Sequence, residues 1–307
     1  MALFIEALVP ILALILLGLL LQRFQFLSDH HWAGIEKLTY YLLFPALLIE
    51  KLATQSIETL PWMPMLLVII ASLSLPALLL GLWHHFRQQT SNPTFTSIFQ
   101  GGVRFNAYIT LAVAQGLYGT EGLMIGSAAI GFIIMIINLL CVGAFSIWGK
   151  ENRTQGLRPF LRTLTTNPLI LACASGWLLN ITGAGLTPLL DETLTIIGSA
   201  ALPLGLLAVG SALRLEKVQG HLHAITLSSF FQFGFKPLLT TGVTLLLGLP
   251  EMVAAILLIA FMTPTAPSSY ILARQLGGDT ETMASIITFQ TLIAFVLMPL
   301  LAALLLP

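Results

Sequence analysis

Charged residues are scarce in this sequence. They make up 8% of 307 residues, while hydrophobic residues make up 57%; soluble domains carry about 25% charged residues. A single soluble core of this size would leave too much apolar surface in water. The 13 basic and 13 acidic residues balance to zero net charge, so no basic face for nucleic acid is indicated. The composition therefore predicts a chain solvated by a lipid bilayer.

The usual signatures of metal sites, cofactor sites and catalysis are also missing. Cys141 and Cys173 lie in apolar runs and predict buried thiols, with neither a disulfide framework nor a metal cluster. The sequence contains no HExxH zinc motif and no GxxxxGK[ST] phosphate loop. We therefore expect no metal, no cofactor and no enzymatic activity.

Acidic residues are not paired at mid-span, where a cation exchanger or an intramembrane aspartyl protease needs them. Glu6, Glu50, Glu121 and Glu251 fall near the ends of apolar stretches, and we place the other acidic residues in loops.

Long apolar stretches dominate the chain. A membrane-spanning helix needs about 20 mostly apolar residues, and ten such stretches are present, at 3–22, 33–53, 62–85, 98–117, 121–148, 163–181, 191–213, 221–248, 251–274 and 281–306. The sequence thus predicts an all-α integral membrane protein with ten transmembrane helices. It begins with an apolar run that lacks a basic region and a cleavage site, so we interpret this run as a retained span.

The distribution of Lys and Arg predicts the orientation. When the predicted loops are assigned to alternate sides, one side receives Lys51 alone. The other receives Arg23, Lys37, Arg87, Lys150, Arg153, Arg158, Arg162, Arg214, Lys217 and Arg274. The basic side is expected to be cytoplasmic, which puts both termini on the extracytoplasmic side of the inner (plasma) membrane.

A basic segment at 150–162 divides the spans into five and five. Pro10, Gly18 and Pro45 recur as Pro168, Gly176 and Pro203, each at an offset of 158 residues. Because five is odd, a duplicated half enters the membrane from the opposite face. We predict two inverted repeats, at 1–149 and 163–307, joined by a cytoplasmic linker at 150–162.

The ninth stretch contains a candidate helix break. Pro264 and Pro267 each remove a backbone donor and obstruct the preceding turn. The nearby hydroxyls of Thr265 and Ser268 either satisfy the freed backbone groups or face a substrate. Interrupted backbone at this depth is tolerated where it lines a cavity or is buried in protein. A kinked helix whose hydroxyls satisfy its own backbone is the structural alternative.

The fourth stretch aligns with this break through the repeat offset and contains Arg104 and Asn106. An arginine at the bilayer centre costs roughly 2.5–3.5 kcal/mol on insertion scales, so it is expected to face a partner or a wet cavity. The alternative places Arg104 at a helix end, where it reaches the headgroups. Asn106 offers both a donor and an acceptor to a ligand or to unwound backbone.

Three further residues complete the candidate site. Lys236 in the eighth stretch either binds an anion or neutralises the carbonyl end of a broken helix, and we favour the second role. Pro45 and Pro203 break the second and seventh stretches at symmetric places, either as simple kinks or to shape a central cavity. For Asn138, Gln232 and Gln290 we expect hydrogen bonds between helices.

These motifs resemble the auxin efflux carrier family in its bacterial branch. The similarity extends over nearly the whole chain. It is most specific at Arg104-Phe105-Asn106 with Leu117-Tyr118-Gly119, and at Pro264 to Arg274 followed by Gly277-Gly278-Asp279. Plant members move the auxin anion, and bacterial relatives are linked to malate or malonate.

The resemblance implies that helices 4 and 9 are broken and cross near mid-membrane. It also implies a dimerising scaffold of helices 1, 2, 6 and 7 and a mobile transport unit of helices 3–5 and 8–10. Many relatives have a proline after the asparagine of helix 4, where this chain has Thr110 to Val113. We therefore expect a softer break there, or one that rests on Gly101, Gly102 and Asn106.

These observations lead to one hypothesis and its rivals. We predict a homodimeric secondary carrier that moves a small carboxylate by an elevator mechanism, with Arg104 and Lys236 providing a positive field. A cation- or proton-coupled exchanger or a channel with the same crossover fold is the alternative. A membrane enzyme and a sensor without transport remain further alternatives.

Overall fold

A computed structural model describes residues 2–54, 60–149, 165–217 and 220–306, and these residues form helices and connecting turns without strands. The predicted linker at 150–162 lies outside the described residues. The α-helices are Ala2–Arg23, Asp29–Leu38, Phe44–Thr54, Trp62–Arg87, Asn92–Val103, Ala107–Trp148, Pro168–Ile181, Pro188–Ser199, Ala201–Ser211, Leu222–Ser229, Lys236–Leu246, Glu251–Met262, Ser268–Leu276 and Thr280–Leu305. Two π-helical turns, Thr39–Leu43 and Phe230–Phe235, and a 3₁₀ turn, Leu215–Lys217, complete the fold.

Five helical segments are long and apolar enough to cross a membrane. They are Leu3–Arg23, Trp62–Arg87, Asn92–Trp148, Pro188–Ser211 and Thr280–Leu305. Pro168–Ile181 and Glu251–Met262 are apolar but shorter. Large apolar side chains such as Leu3, Leu189 and Leu246 remain at least 75% exposed on the helix surfaces, as expected for helices that face lipid.

Proline explains where three predicted stretches are interrupted. A proline cannot donate to the carbonyl four residues earlier, and its ring crowds that carbonyl. Pro45 and Pro237 each follow a π-helical turn that widens the helix. Pro203 follows the junction at Ala200 between Pro188–Ser199 and Ala201–Ser211. Stretches 2, 7 and 8 are therefore each built from shorter helices placed end to end.

Two helices are fully broken. The first break, residues 104–106, separates Asn92–Val103 from Ala107–Trp148, and Arg104 and Asn106 both have extended backbone. It is thus a complete break without the proline found in many relatives. The second break, residues 263–267, separates Glu251–Met262 from Ser268–Leu276. Both lie where the sequence predicted them.

The chain repeats one order of elements around the breaks. After the first, the helix reaches Gly119, whose φ of 59° interrupts Ala107–Trp148. After the second, the helix ends at Gly277 with a φ of 77°. Glycine adopts this left-handed conformation without steric penalty. In both places a long helix follows.

Glycines also allow two pairs of helices away from the breaks to approach closely. A Cβ on Gly18 would lie 2.1 Å from the Leu207 carbonyl oxygen, and one on Gly176 would lie 3.3 Å from that of Ile49. These two contacts are related by the offset of 158 residues with the partners exchanged, since Gly176 corresponds to Gly18 and Leu207 to Ile49. Helix Ala2–Arg23 therefore packs on Ala201–Ser211 as Pro168–Ile181 packs on Phe44–Thr54.

Candidate functional site

The two breaks lie side by side and are joined by hydrogen bonds. The Asn106 N–H donates to Thr263 Oγ1 at 3.1 Å, and Thr265 Oγ1 donates to the Gln100 carbonyl at 3.4 Å. Arg104 Nη2 donates to Ser268 Oγ at 3.1 Å. The unwound backbone of each helix is thus partly satisfied by the other, as apolar surroundings require.

Lys236 caps the carbonyl end of helix Asn92–Val103. Its Nζ, fully buried, donates to the Val103 carbonyl at 3.2 Å, the Arg104 carbonyl at 3.1 Å and Gln232 Oε1 at 2.6 Å. An ammonium has three donors, so this arrangement leaves none for a substrate. Gln232 Nε2 in turn donates to the Thr263 carbonyl. The geometry matches the capping role considered for Lys236.

Gln290 bridges the two breaks from a third helix. Its Nε2 donates to the Gly101 carbonyl at 3.0 Å, and its Oε1 accepts from the Thr265 N–H at 3.0 Å. The expectation that Gln232 and Gln290 form hydrogen bonds between helices is confirmed.

Asn106 is completely buried and acts within its own break. Its Oδ1 accepts from the Ile109 N–H at 3.1 Å, which caps the second half of the helix. Its Nδ2 has no hydrogen-bond partner among the described residues.

A cavity of about 110 Å³ lies next to the two breaks. At roughly 30 Å³ per water molecule, its volume corresponds to three or four waters. Polar groups concentrate around Arg104, and small residues on Ala201–Ser211 leave space opposite them. The lining residues used below are Glu36, Tyr40, Arg104, Tyr108, Asn167 and Ser268.

Arg104 lines this cavity, and part of its hydrogen-bonding capacity is buried without an oxygen acceptor among the described residues. Nη2 contacts Ser268, whereas Nε and Nη1 have no oxygen acceptor among the described residues. The Cys141 thiol, a weak acceptor, lies nearby. Unpaired buried donors are costly unless a ligand or water accepts from them. Charged guanidinium N–H groups form strong hydrogen bonds with carboxylate oxygens.

The structure separates the predicted site residues into three groups. Arg104, Pro267 and Ser268 line the cavity. Asn106, Pro264, Thr265 and Lys236 are buried in and around the breaks and do not line it. Pro45 is partly buried behind its π-helical turn, and Pro203 is exposed in a separate groove.

That groove, of about 1060 Å³, opens between helices Ala2–Arg23, Phe44–Thr54, Ala107–Trp148 and the two helices of Pro188–Ser211. It shares no described lining residue with the cavity. The Tyr108 ring lines the cavity, and its centroid lies 5.0 Å from that of Phe44. An added Cβ on Gly205 would lie 2.4 Å from Tyr108 Cδ1, so the ring packs tightly on this helix.

A further pocket of about 230 Å³, called the inner pocket below, is lined by residues that include Asp29 and Arg214. Glu36, Ala208 and Pro267 line both the inner pocket and the cavity. The cavity therefore shares part of its wall with the inner pocket and none of its described wall with the groove.

Sequence reasoning missed Glu36, which we placed in a loop. It lies in helix Asp29–Leu38 and lines the cavity, because an apolar pattern does not reveal which charged residue near a helix end faces inward. A usable signal was the spacing of Glu36, Tyr40 and Phe44, since residues four apart share a helix face. All three line the cavity.

Comparison with known proteins agrees with this architecture. The family model described as "Membrane transport protein" matches residues 3–302. An archaeal protein from Methanothermobacter thermautotrophicus, described as an uncharacterized transporter, is 22% identical over 302 residues, which cover 96% of each chain. This is a family of membrane transporters and not of enzymes. The chain therefore belongs to the membrane transport protein family, that of the auxin efflux carriers, and is a multi-pass membrane protein.

Proposed function

We propose that this protein is a secondary carrier that moves a small carboxylate across the inner membrane. The observation that carries the proposal is Arg104, which lines a small cavity and whose buried Nε and Nη1 have no oxygen acceptor among the described residues. The Ser268 hydroxyl and the amide of Asn167 border the same space and add hydrogen-bonding groups.

The cavity is lined by two groups of helices, and this arrangement supports an elevator movement. Tyr40 and Gly205 come from the helices assigned to the scaffold, while Arg104 and Ser268 come from the broken helices assigned to the transport unit. A substrate in the cavity therefore contacts both units. Movement of the broken helices past the scaffold would exchange access to the cavity from the inner pocket for access from the groove.

Internal packing supports two inverted five-helix repeats and the ten-span topology. The glycine contacts at Gly18 and Gly176 obey the repeat offset with exchanged partners, which a pseudo-twofold axis requires. The hydrogen bonds between the breaks support a crossing of helices 4 and 9. We further propose that the scaffold forms a homodimer, which cysteine cross-linking would test. We also propose that both termini lie on the extracytoplasmic side, which labelling of cysteines placed at either end would test.

Uptake into proteoliposomes tests the function. Purified protein is reconstituted and presented with radiolabelled acetate, pyruvate, malate, malonate and indole-3-acetate. Arg104→Gln removes the guanidinium, and Arg274→Gln, an exposed arginine beyond the second break, is the matched control. Both variants are checked for native thermal unfolding before assay.

Saturable uptake of at least one carboxylate, lowered at least tenfold by Arg104→Gln and unchanged by Arg274→Gln, is the expected result. Absence of carboxylate uptake by folded protein would refute the proposal. Ionic current without saturable solute uptake would favour the rival channel or ion exchanger.

A further inference from the structure

Glu36 places a second charged group in the wall of the candidate substrate cavity. It is partly buried and lines both the cavity and the inner pocket. Within the described parts of the chain, no basic side chain lies within 4.0 Å of its carboxylate. The carboxylate therefore belongs to a residue that lines the same cavity as Arg104 and is not paired to it.

The charge of the site depends on Glu36. With Glu36 ionised, the empty cavity holds one positive and one negative group. A bound carboxylate adds a second negative charge within an enclosed, partly apolar space, where like charges repel more strongly than in water. Protonation of Glu36 removes this repulsion, and a site occupied by a monocarboxylate then carries no net charge.

We propose that Glu36 links anion binding to proton binding, so that a carboxylate on Arg104 and a proton on Glu36 are taken up together. The proton adds to a carboxylate oxygen of Glu36 from water in the inner pocket and returns there when the anion leaves. Because binding linkage is reciprocal, acidification strengthens anion binding. This inference rests on the carrier function proposed above.

Other titratable groups face the same space but do not provide an equivalent charge change. From its own chain segment, Glu36 faces Tyr40 and Asp29; from other elements it faces Arg104, Tyr108, Tyr270 and Arg214. Tyrosine and arginine ordinarily titrate above the physiological range. Asp29 is exposed and lies 3.7 Å from Arg214. No His or Lys is among the described lining residues.

Equilibrium binding of the five carboxylates is measured between pH 6.0 and 8.5 by calorimetry, with proton uptake followed by an indicator in weak buffer. The variants are Glu36→Gln, Glu36→Asp and, as control, Asp29→Asn. Comparison with Glu36→Gln cancels ionisation of the ligand itself. Glycine, a zwitterion, is tested in parallel.

For the wild type, we expect affinity relative to Glu36→Gln to rise by up to about tenfold per pH unit of acidification, the limit for one linked proton. Up to one proton is taken up per anion. Asp29→Asn and Glu36→Asp keep this slope, whereas Glu36→Gln binds with no proton uptake.

Anion binding without a pH slope or proton uptake in the wild type would overturn the inference and leave the carrier function intact. Binding of glycine that is lost in Glu36→Gln, with no pH slope, would make Glu36 the partner of an ammonium group and also overturn it. Absence of carboxylate binding at every pH in folded wild type and Glu36→Gln would overturn both proposals.

Discussion

Replacing Gln290 with leucine tests whether the crossing of the two breaks depends on side-chain hydrogen bonds. Leucine has a similar size, so little packing volume is lost. The substitution removes the donor to the Gly101 carbonyl and the acceptor for the Thr265 N–H. Neither backbone group has a helical partner, because Gly101 is in the last turn before one break and Thr265 lies within the other.

Two limits bracket the cost. Interhelical hydrogen bonds in membrane proteins average about 0.6 kcal/mol, so two such bonds give a lower limit near 1 kcal/mol. A buried polar group left unpaired costs about 1–3 kcal/mol, so two give an upper limit near 6 kcal/mol. Gln290 is fully buried, which restricts replacement by water. We therefore expect a loss of about 3–5 kcal/mol in the free energy of unfolding.

Equilibrium unfolding in mixed detergent micelles, titrated with SDS, measures this difference. Gln115→Leu is the matched control, since Gln115 is exposed in the groove of about 1060 Å³. This control substitution should change the free energy of unfolding by less than about 0.5 kcal/mol. A Gln290→Leu variant as stable as this control would show that the breaks satisfy their backbone groups by other means.

Three further substitutions have defined outcomes. Arg104→Lys keeps the charge but loses the planar guanidinium and its additional donors, so we expect KM for the transported carboxylate to rise roughly tenfold or more in the uptake assay. Gly205→Ala should lower the free energy of unfolding by about 1–3 kcal/mol through overpacking against Tyr108, whereas Gly242→Ala, with open space around the new Cβ, should be neutral or stabilising by up to about 1 kcal/mol. Burial raises the pKa of Asp279. Hydrogen bonds from Thr282 and Thr94 and the charge of nearby His221 lower it by more, so the pKa lies below its ordinary value. Asp279→Ala should therefore cost about 1–2 kcal/mol at pH 7 through loss of its helix cap, and this cost should shrink as unfolding is measured at pH values falling through the lowered pKa.

The positions of the breaks could be predicted from the sequence because they depend on local chemistry. Pro264 and Pro267 remove backbone donors wherever the chain places them, and the repeat offset directs attention to 104–106. A buried helix cap could be predicted in the same way, because few roles are open to a lone lysine in an apolar stretch. The sequence favoured a capping role for Lys236 on those grounds, and its hydrogen bonds have the matching geometry.

The cavity wall was not predictable, because it depends on which helix faces meet. Arg104 was evenly balanced between a wet cavity and the headgroups, and only its neighbours in space place it beside the cavity. Asn106 and Thr265 seemed equally suited to bind a solute, yet their hydrogen bonds are directed to backbone and to each other's helices. Glu36 lies close to the start of the stretch predicted at 33–53, and nothing in the sequence shows that its side chain faces the cavity.

The division of labour between the two internal cations follows from their hydrogen bonds. All three Lys236 donors are directed to two carbonyl groups and an amide oxygen, so its positive charge is matched to the carbonyl end of a helix half. Arg104 has only one of its donor groups directed to a side-chain oxygen, Ser268 Oγ, and that hydroxyl is neutral. The charge available to a solute is therefore that of Arg104, and Glu36 is the carboxylate in the same cavity that can oppose or, once protonated, release it. Under the two proposals above, selectivity for anions and the pH dependence of anion binding both arise from this pair of residues.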